Sequence, residues 1–226
     1  MKGYDAVLFD MDGVIFDSEQ LYMRCWEQLE GEFDVPGIRD VLIRCIGVNS
    51  QRTREIFLEA YGPDFPYDEA MAASFRKWKE LLVDGRLPVK GGAPELLAAL
   101  QGAGIPIAIA SSTRTDVVRK ELMDVDLWKY FDAVIGGDQV TASKPEPDIF
   151  LEAMGQLSQA ACEDQPLVPG ACIVIEDSFN GIRAAHAAGM RPVMVPDLLQ
   201  PTEEIRGLAE AVLPDLYAVK TYLLGQ

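Results

Sequence analysis

The sequence predicts an α/β protein in which a parallel, doubly wound sheet is interrupted early by a helical insertion. Two observations carry this expectation. Short apolar runs at Ala6 to Phe9, Ile105 to Ala110, Ala133 to Ile135, Cys172 to Ile175 and Pro192 to Val195 alternate with helical patterns, the order that a parallel sheet with helical crossovers requires. Residues 17 to 87, by contrast, hold helical periodicity and no convincing strand.

The first strand candidate ends on Asp10 and Asp12, with Gly13 directly after them. Uncharged Met11 separates the acids, so in an extended segment both side chains project the same way. At about 4 Å and an effective dielectric near 20, such a pair costs on the order of 4 kcal/mol unless a cation or a shared proton compensates. Next comes the insertion, where Trp26, Leu29 and Phe33 share one helix face and Phe75, Trp78, Leu81 and Leu82 share another. So long a helical stretch far exceeds the usual strand-to-helix loop of about 2 to 6 residues. Residues 17–87 are therefore expected to form a small helical cap on an α/β core of residues 1–16 and 88–226. The chain returns through Pro88 and Gly91-Gly92, suited to a hinge, into a helix from Pro94 to Gln101. Beyond the second strand, a helix is expected from Asp116 to Met123.

Composition narrows the class. The 226 residues are 49% hydrophobic and 25% charged, ordinary globular stock, and no tract approaches the apolar length of a membrane span. A formal net charge of −16 opposes binding to nucleic acid or an anionic membrane. The start, MKGYDAVLF, runs straight into a strand and does not read as a secretory signal, so a cytoplasmic protein is expected. Cys25, Cys45, Cys162 and Cys172 are far apart, with no CxxC pair and His186 as the sole histidine. Neither zinc nor a disulfide framework is indicated; the four read as small hydrophobes, and His186 as a packing or surface residue. A monomer is expected.

In an open α/β sheet the ligand site lies beyond the carboxyl ends of the strands. Four sets of residues follow strand candidates: Asp10 with Asp12, Ser111 to Arg114, Lys144 with Pro145, and Glu176 with Asp177. A carboxylate such as Asp10 can accept a phosphoryl or acyl group. Asp12 can protonate a leaving oxygen and then deprotonate water. Ser111 and Ser112, ahead of a helix, can hold phosphate oxygens. Lys144 can neutralise charge on a phosphate and on Asp10. The acids Glu176 and Asp177, added to the first pair, make a cluster of four carboxylates, an all-oxygen site that favours Mg²⁺. Each feature also has a plainer reading: a strand-end acid pair satisfied by amides, helix caps at Asp177 or Ser178, a solvated lysine.

Taken together, the ordered motifs DMDGV, ASST, SKPEPDIF and IEDSFNG resemble those of haloacid dehalogenase (HAD) superfamily phosphatases with a helical cap, over nearly the whole chain. The resemblance implies a Rossmann-like core, Asp10 as nucleophile, Asp12 as general acid/base, Ser111 as a phosphate ligand and Lys144 as stabiliser of an aspartyl-phosphate. It also implies Mg²⁺ held by Asp10, the Asp12 carbonyl and Asp177, with Glu176 beside it. The expected activity is hydrolysis of a small phosphorylated metabolite, a sugar phosphate above all. The rival within the superfamily is β-phosphoglucomutase-type isomerisation. That group places a histidine in the first cap helix where this chain aligns Tyr22, and a phosphate-gripping arginine to which Arg52 or Arg54 corresponds only with displacement. From another class, a phosphoacceptor receiver is shorter and has no cap, and a non-catalytic phosphate-binding module has no need of all four motifs.

Overall fold

A computed structural model describes residues 3–46, 50–161 and 166–225. The predicted Cys162 therefore lies outside the described residues. The chain divides into two compact units, Met1–Asp17 with Val89–Gln226, and Ser18–Pro88.

The first unit is built on a six-stranded sheet, all parallel, in the order β3-β2-β1-β4-β5-β6. Its strands are β1 (Ala6–Phe9), β2 (Ile107–Ser111), β3 (Ala133–Gly136), β4 (Cys172–Glu176), β5 (Arg191–Met194) and β6 (Ala211–Val212). AVLF, IAIAS and CIVIE are buried along their full length, because helices cover both faces of a parallel sheet and leave no polar alternation. The helices of this unit are α5 (Ala93–Gly102), α6 (Thr115–Asp124), α7 (Asp148–Ala161), α8 (Phe179–Ala187), α9 (Glu203–Leu208) and α10 (Leu216–Leu224). Small residues, among them Ala6, Ala108, Ala110, Ala153, Ala184 and Ala185, let α7 and α8 approach the sheet closely, with Phe150 and Leu157 filling between. Ser178, Thr202 and Asp215 cap α8, α9 and α10 by accepting from Gly181, Ile205 and Ala218 amides, worth about 1 kcal/mol each.

The second unit holds four helices, α1 (Ser18–Phe33), α2 (Ile38–Cys45), α3 (Ser50–Tyr61) and α4 (Tyr67–Leu81). Its interior is aromatic: Trp26 and Phe57 centroids are 4.9 Å apart, and Phe65, Tyr67 and Tyr61 ring Phe57 at 5.5 to 6.0 Å. The chain leaves and re-enters the sheet unit as a short antiparallel pair, with the Lys90 amide donating to Ile15 O at 2.9 Å and Phe16 bridging Val89. Lys90 pins that pair by ion contacts to Asp197 at 2.8 Å and Asp17 at 3.6 Å.

Two readings of local structure change. The fully buried residues of α4 are Tyr67, Ala70, Ala73 and Ser74; of the expected stripe, Phe75 is 60% exposed under the Lys79 ammonium, while Trp78 makes an edge contact with Tyr22 of α1. The sheet also gains β6, two residues long and too short to register as an apolar run. Among the described residues Cys25 and Cys172 are buried thiols and Cys45 a half-buried one, His186 is exposed, and no helix is long and apolar enough to cross a membrane.

Candidate active site

Strand β1 pairs with β2 on one side and β4 on the other, with Phe9 in register with both Ile109 and Ile175. The chain runs outward from this point in opposite directions, β1 to β3 one way and β4 to β6 the other. This is the reversal of strand order at which α/β sheets open a crevice. Asp10, Ser111, Glu176 and Asp177 are all delivered there, and each is no more than 7% exposed.

Lys144 reaches the same edge from the loop that follows β3. Its ammonium donates to Asp10 Oδ1 at 2.5 Å, Glu176 Oε1 at 2.8 Å and Ala110 O at 3.2 Å, so three acceptors meet its three donors. Burial by itself would lower the lysine, but Asp10 and Glu176 outweigh it and hold Lys144 charged, above the ordinary lysine range. Burial pushes the Asp10 carboxyl up, to about 8; Lys144 pulls the other way, while Glu176 and Asp12 add to the rise. Lys144 brings one positive charge to a buried edge that holds the carboxyls of Asp10, Glu176 and Asp177, which leaves room in the charge balance for a second cation.

Glu176 was grouped with Asp10, Asp12 and Asp177 as a four-carboxylate ion site. The geometry commits it elsewhere. Oε1 accepts from Lys144, Oε2 accepts from the Ser178 amide at 2.7 Å, and a Cβ on Gly181 would lie 1.6 Å from Oε1. The first turn of α8 is folded over this carboxylate, and a glycine is needed for it to close. Among the described residues no three His, Cys, Asp or Glu side chains gather into a metal-ligand set. Mg²⁺ asks for less than that, because it is held through one or two carboxylates and keeps several waters.

Asp177 lies where a second carboxylate would be needed. Gly13 has φ of 76°, and a Cβ there would stand 2.3 Å from Asp177 Oδ2, so the Asp177 carboxylate rests against the backbone immediately after Asp12. Asp10, Asp177 and the Asp12 carbonyl are all oxygen donors, the chemistry a hard cation prefers, and the unbalanced charge at Asp10 fits an ion there.

The strand ends at Phe9, and Asp12 already belongs to a turn in which Met11 O accepts from the Ile15 and Phe16 amides at 2.8 and 3.1 Å. Asp12 Oδ2 accepts from Thr113 Oγ1 at 2.9 Å. Ser111 Oγ accepts from the Thr113 amide at 3.1 Å. Ser112 is exposed, with its carbonyl where a Cβ on Gly137 would approach to 2.4 Å. One carboxyl beside the site had escaped notice: Glu121 in α6 is pushed up to about 7 by burial and then by Asp12. Nothing in its sequence surroundings separates it from an ordinary helix-surface glutamate.

In the helical unit, Arg52 pairs with Glu55 and Glu59 at 3.0 and 2.8 Å. Arg54 pairs with Asp68 and stacks on Tyr67, 4.6 Å from its centroid. The Tyr22 hydroxyl meets Met71 Sδ at 3.9 Å, and its ring makes edge contacts with Trp26 and Trp78. Burial pushes Tyr22 up to about 12, which removes it from proton transfer near neutrality.

The family model for haloacid dehalogenase-like hydrolases matches residues 7–195, a span containing every site residue named above. The chain belongs to this family. A Thermotoga maritima protein named phosphorylated carbohydrates phosphatase is 31% identical over 84% of this chain and 83% of its own length. The Bacillus subtilis beta-phosphoglucomutase is also 31% identical, over 84% of this chain and 82% of its own. Among solved structures, a HAD family hydrolase from Deinococcus radiodurans R1 with bound phosphate and sodium superposes with a TM-score of 0.79 at 25% identity, covering 100% of this chain and 97% of that one. The Rossmann-like parallel sheet with flanking helices is thus the fold of HAD-family hydrolases.

Proposed function

We propose that this HAD-family hydrolase is a Mg²⁺-dependent phosphatase of a small phosphorylated carbohydrate, working through an aspartyl-phosphate on Asp10. The observation that carries the reading is the Lys144 ammonium bridging Asp10 and Glu176 at the strand-order reversal. Glu176 fixes the lysine, and the lysine fixes the carboxylate that attacks. Relatives named for phosphorylated carbohydrate hydrolysis and for a sugar phosphomutase support the substrate class.

In this reading an Asp10 carboxylate oxygen attacks phosphorus, the ester P–O bond breaks, and the proton of Asp12 goes to the departing alkoxide. Asp12, now a carboxylate, takes a proton from water whose oxygen attacks the phosphorus, releasing phosphate and restoring Asp10. Ser111 holds a phosphate oxygen, and Lys144 offsets charge on the phosphoryl group. Mg²⁺ held by Asp10, the Asp12 carbonyl and Asp177 would supply positive charge to a dianionic phosphoryl group. Phosphate-monoester hydrolysis can require accelerations of up to about 10²¹, of which one acid/base contributes about 10² to 10⁴. The remainder calls for the nucleophile, lysine and cation together. The helical unit, Ser18–Pro88, is in this reading the part of the chain that chooses the leaving group.

Mutase activity is the second reading, favoured by the beta-phosphoglucomutase relative. Against it, Tyr22 is packed into the aromatic interior of the helical unit and Arg52 and Arg54 are paired within it. The test is a screen of phosphorylated carbohydrates with Mg²⁺, with isomerisation of β-glucose 1-phosphate measured alongside. Phosphate release without isomerised sugar supports the phosphatase; isomerisation that outruns phosphate release overturns it. Asp10→Asn and Asp12→Asn should each abolish turnover with an unchanged circular dichroism spectrum, and near-parental hydrolysis by either defeats the assignment of that residue.

A further inference from the structure

We propose that Thr113 is a positioning residue for Asp12, and that the end of β3 is the seat that holds Thr113 in place. The proposal rests on the reading of Asp12 as acid/base. Neither Thr113 nor any residue at the end of β3 was part of that reading.

Thr113 is hydrogen-bonded at all three of its polar positions. Its hydroxyl donates to Asp12 Oδ2 at 2.9 Å across 101 positions of chain. Its amide donates to Ser111 Oγ at 3.1 Å, and its carbonyl accepts from the Gly137 amide at 3.0 Å. A threonine tethered at amide and carbonyl has little freedom to withdraw its hydroxyl. That bond ties the carboxyl of Asp12 to a group outside its own loop.

The tether depends on close approach of backbones. A Cβ on Gly136 would lie 2.2 Å from the Thr115 amide nitrogen and 2.7 Å from Thr113 O, and one on Gly137 would lie 2.4 Å from Ser112 O. Neither position tolerates a side chain while loop 112–115 stays where it is. Asp138, the next residue, accepts from both the amide and the hydroxyl of Thr115 at 2.7 and 2.8 Å; these bonds hold its carboxyl below the usual range. A carboxylate that stays ionised thus locks the far side of the loop whose near side orients Asp12.

The distinguishing experiment compares Thr113→Val, Thr113→Ser and Asp12→Asn with the parent, using phenyl phosphate and p-nitrophenyl phosphate with Mg²⁺. A hydrogen bond to a charged group predicts a loss in kcat of roughly 10- to 100-fold for Thr113→Val on phenyl phosphate, with KM moved less than about twofold. Thr113→Ser, which keeps the hydroxyl, should recover to within about threefold. p-Nitrophenolate leaves with little help from an acid, so the pre-steady-state burst of Thr113→Val on that ester should stay within about threefold of the parent. Equal losses on both esters, or failure of serine to restore the rate, would show a merely structural role and overturn the proposal. So would parental kcat in Thr113→Val while Asp12→Asn is inactive. Near-parental turnover by Asp12→Asn would instead remove the acid/base reading itself.

Discussion

Replacing Lys144 by methionine isolates the electrostatics of the site from its catalysis. The side chain is 7% exposed and contacts Asp10 at 2.5 Å and Glu176 at 2.8 Å, so the variant keeps the packing volume but leaves two buried carboxylates facing each other without their cation. Removing one partner of a buried ion pair costs about 3–5 kcal/mol, because the other charge stays buried and uncompensated. For a chain of this size that is a fall in Tm of roughly 6–20 °C. The loss must depend on pH, and its sign follows from Asp10. The folded protein holds a proton on Asp10 up to about 8, whereas an unfolded aspartate releases it near about 4. Metal-free stability therefore declines as pH rises between those values. Without the lysine Asp10 keeps its proton to still higher pH, so the decline continues past the point where that of the parent levels off, and the deficit against the parent widens from about pH 7 to about pH 9. Thermal melts of parent and Lys144→Met in chelator across that range are the assay. A variant melting within about 2 °C of the parent at about pH 8, or a deficit that narrows with rising pH, refutes the claim that this ammonium offsets buried negative charge.

Two more outcomes follow from the same geometry. Gly13→Ala places a Cβ at φ of 76° and 2.3 Å from Asp177 Oδ2; it should cost about 1–2 kcal/mol of stability and, by displacing Asp177, weaken Mg²⁺ binding roughly 10- to 100-fold by calorimetric titration. Unchanged affinity excludes Asp177 from the ion site. Mg²⁺ binding should also expel the proton from Asp10, so titrations in buffers of different ionisation enthalpy at about pH 6.5 should report close to one proton released per ion, falling toward zero above about pH 9. Release that is independent of pH separates the ion from Asp10.

The sequence made legible whatever depended on runs and order. Ala6 to Phe9 and Cys172 to Ile175 read as fully buried strands, and strand ends in a parallel sheet meet at one edge, so the placement of Asp10, Ser111, Lys144 and Asp177 at that edge follows from the order of the runs. What escaped depended on which partner wins a side chain. Glu176 follows its strand as Asp10 follows β1, and no local pattern says that Lys144 and the Ser178 amide will claim both its oxygens. Thr113 looked like one hydroxyl of three, because its bond to Asp12 spans 101 positions. Phe75 shares a helical spacing with Trp78, but the fully buried residues of α4 are Tyr67, Ala70, Ala73 and Ser74, three of them small, and small residues give weak periodicity.

In the proposed function the charge balance gives the site a reason to bind a cation before its substrate. Asp10, Glu176 and Asp177 sit at one buried edge against a single ammonium, in a chain of formal net charge −16. A phosphate monoester brings about two further negative charges near neutrality, and desolvated like charges at short range repel by several kcal/mol. Lys144 does not resolve this alone, since it is already shared between Asp10 and Glu176. Burial foremost, and then Glu176 and Asp12, raise the Asp10 carboxyl against the pull of Lys144. In the proposed mechanism a protonated Asp10 is a poor nucleophile, so a bound cation would have two effects on this chain: it would let the phosphate approach, and it would drive off the proton that keeps Asp10 from attacking. Binding of Mg²⁺ and readiness of the nucleophile are then one equilibrium. Phosphate affinity and Asp10 ionisation should rise along a single Mg²⁺ titration curve, and an Asp10 carboxyl seen by infrared spectroscopy to ionise at Mg²⁺ concentrations that leave phosphate binding unchanged would separate them.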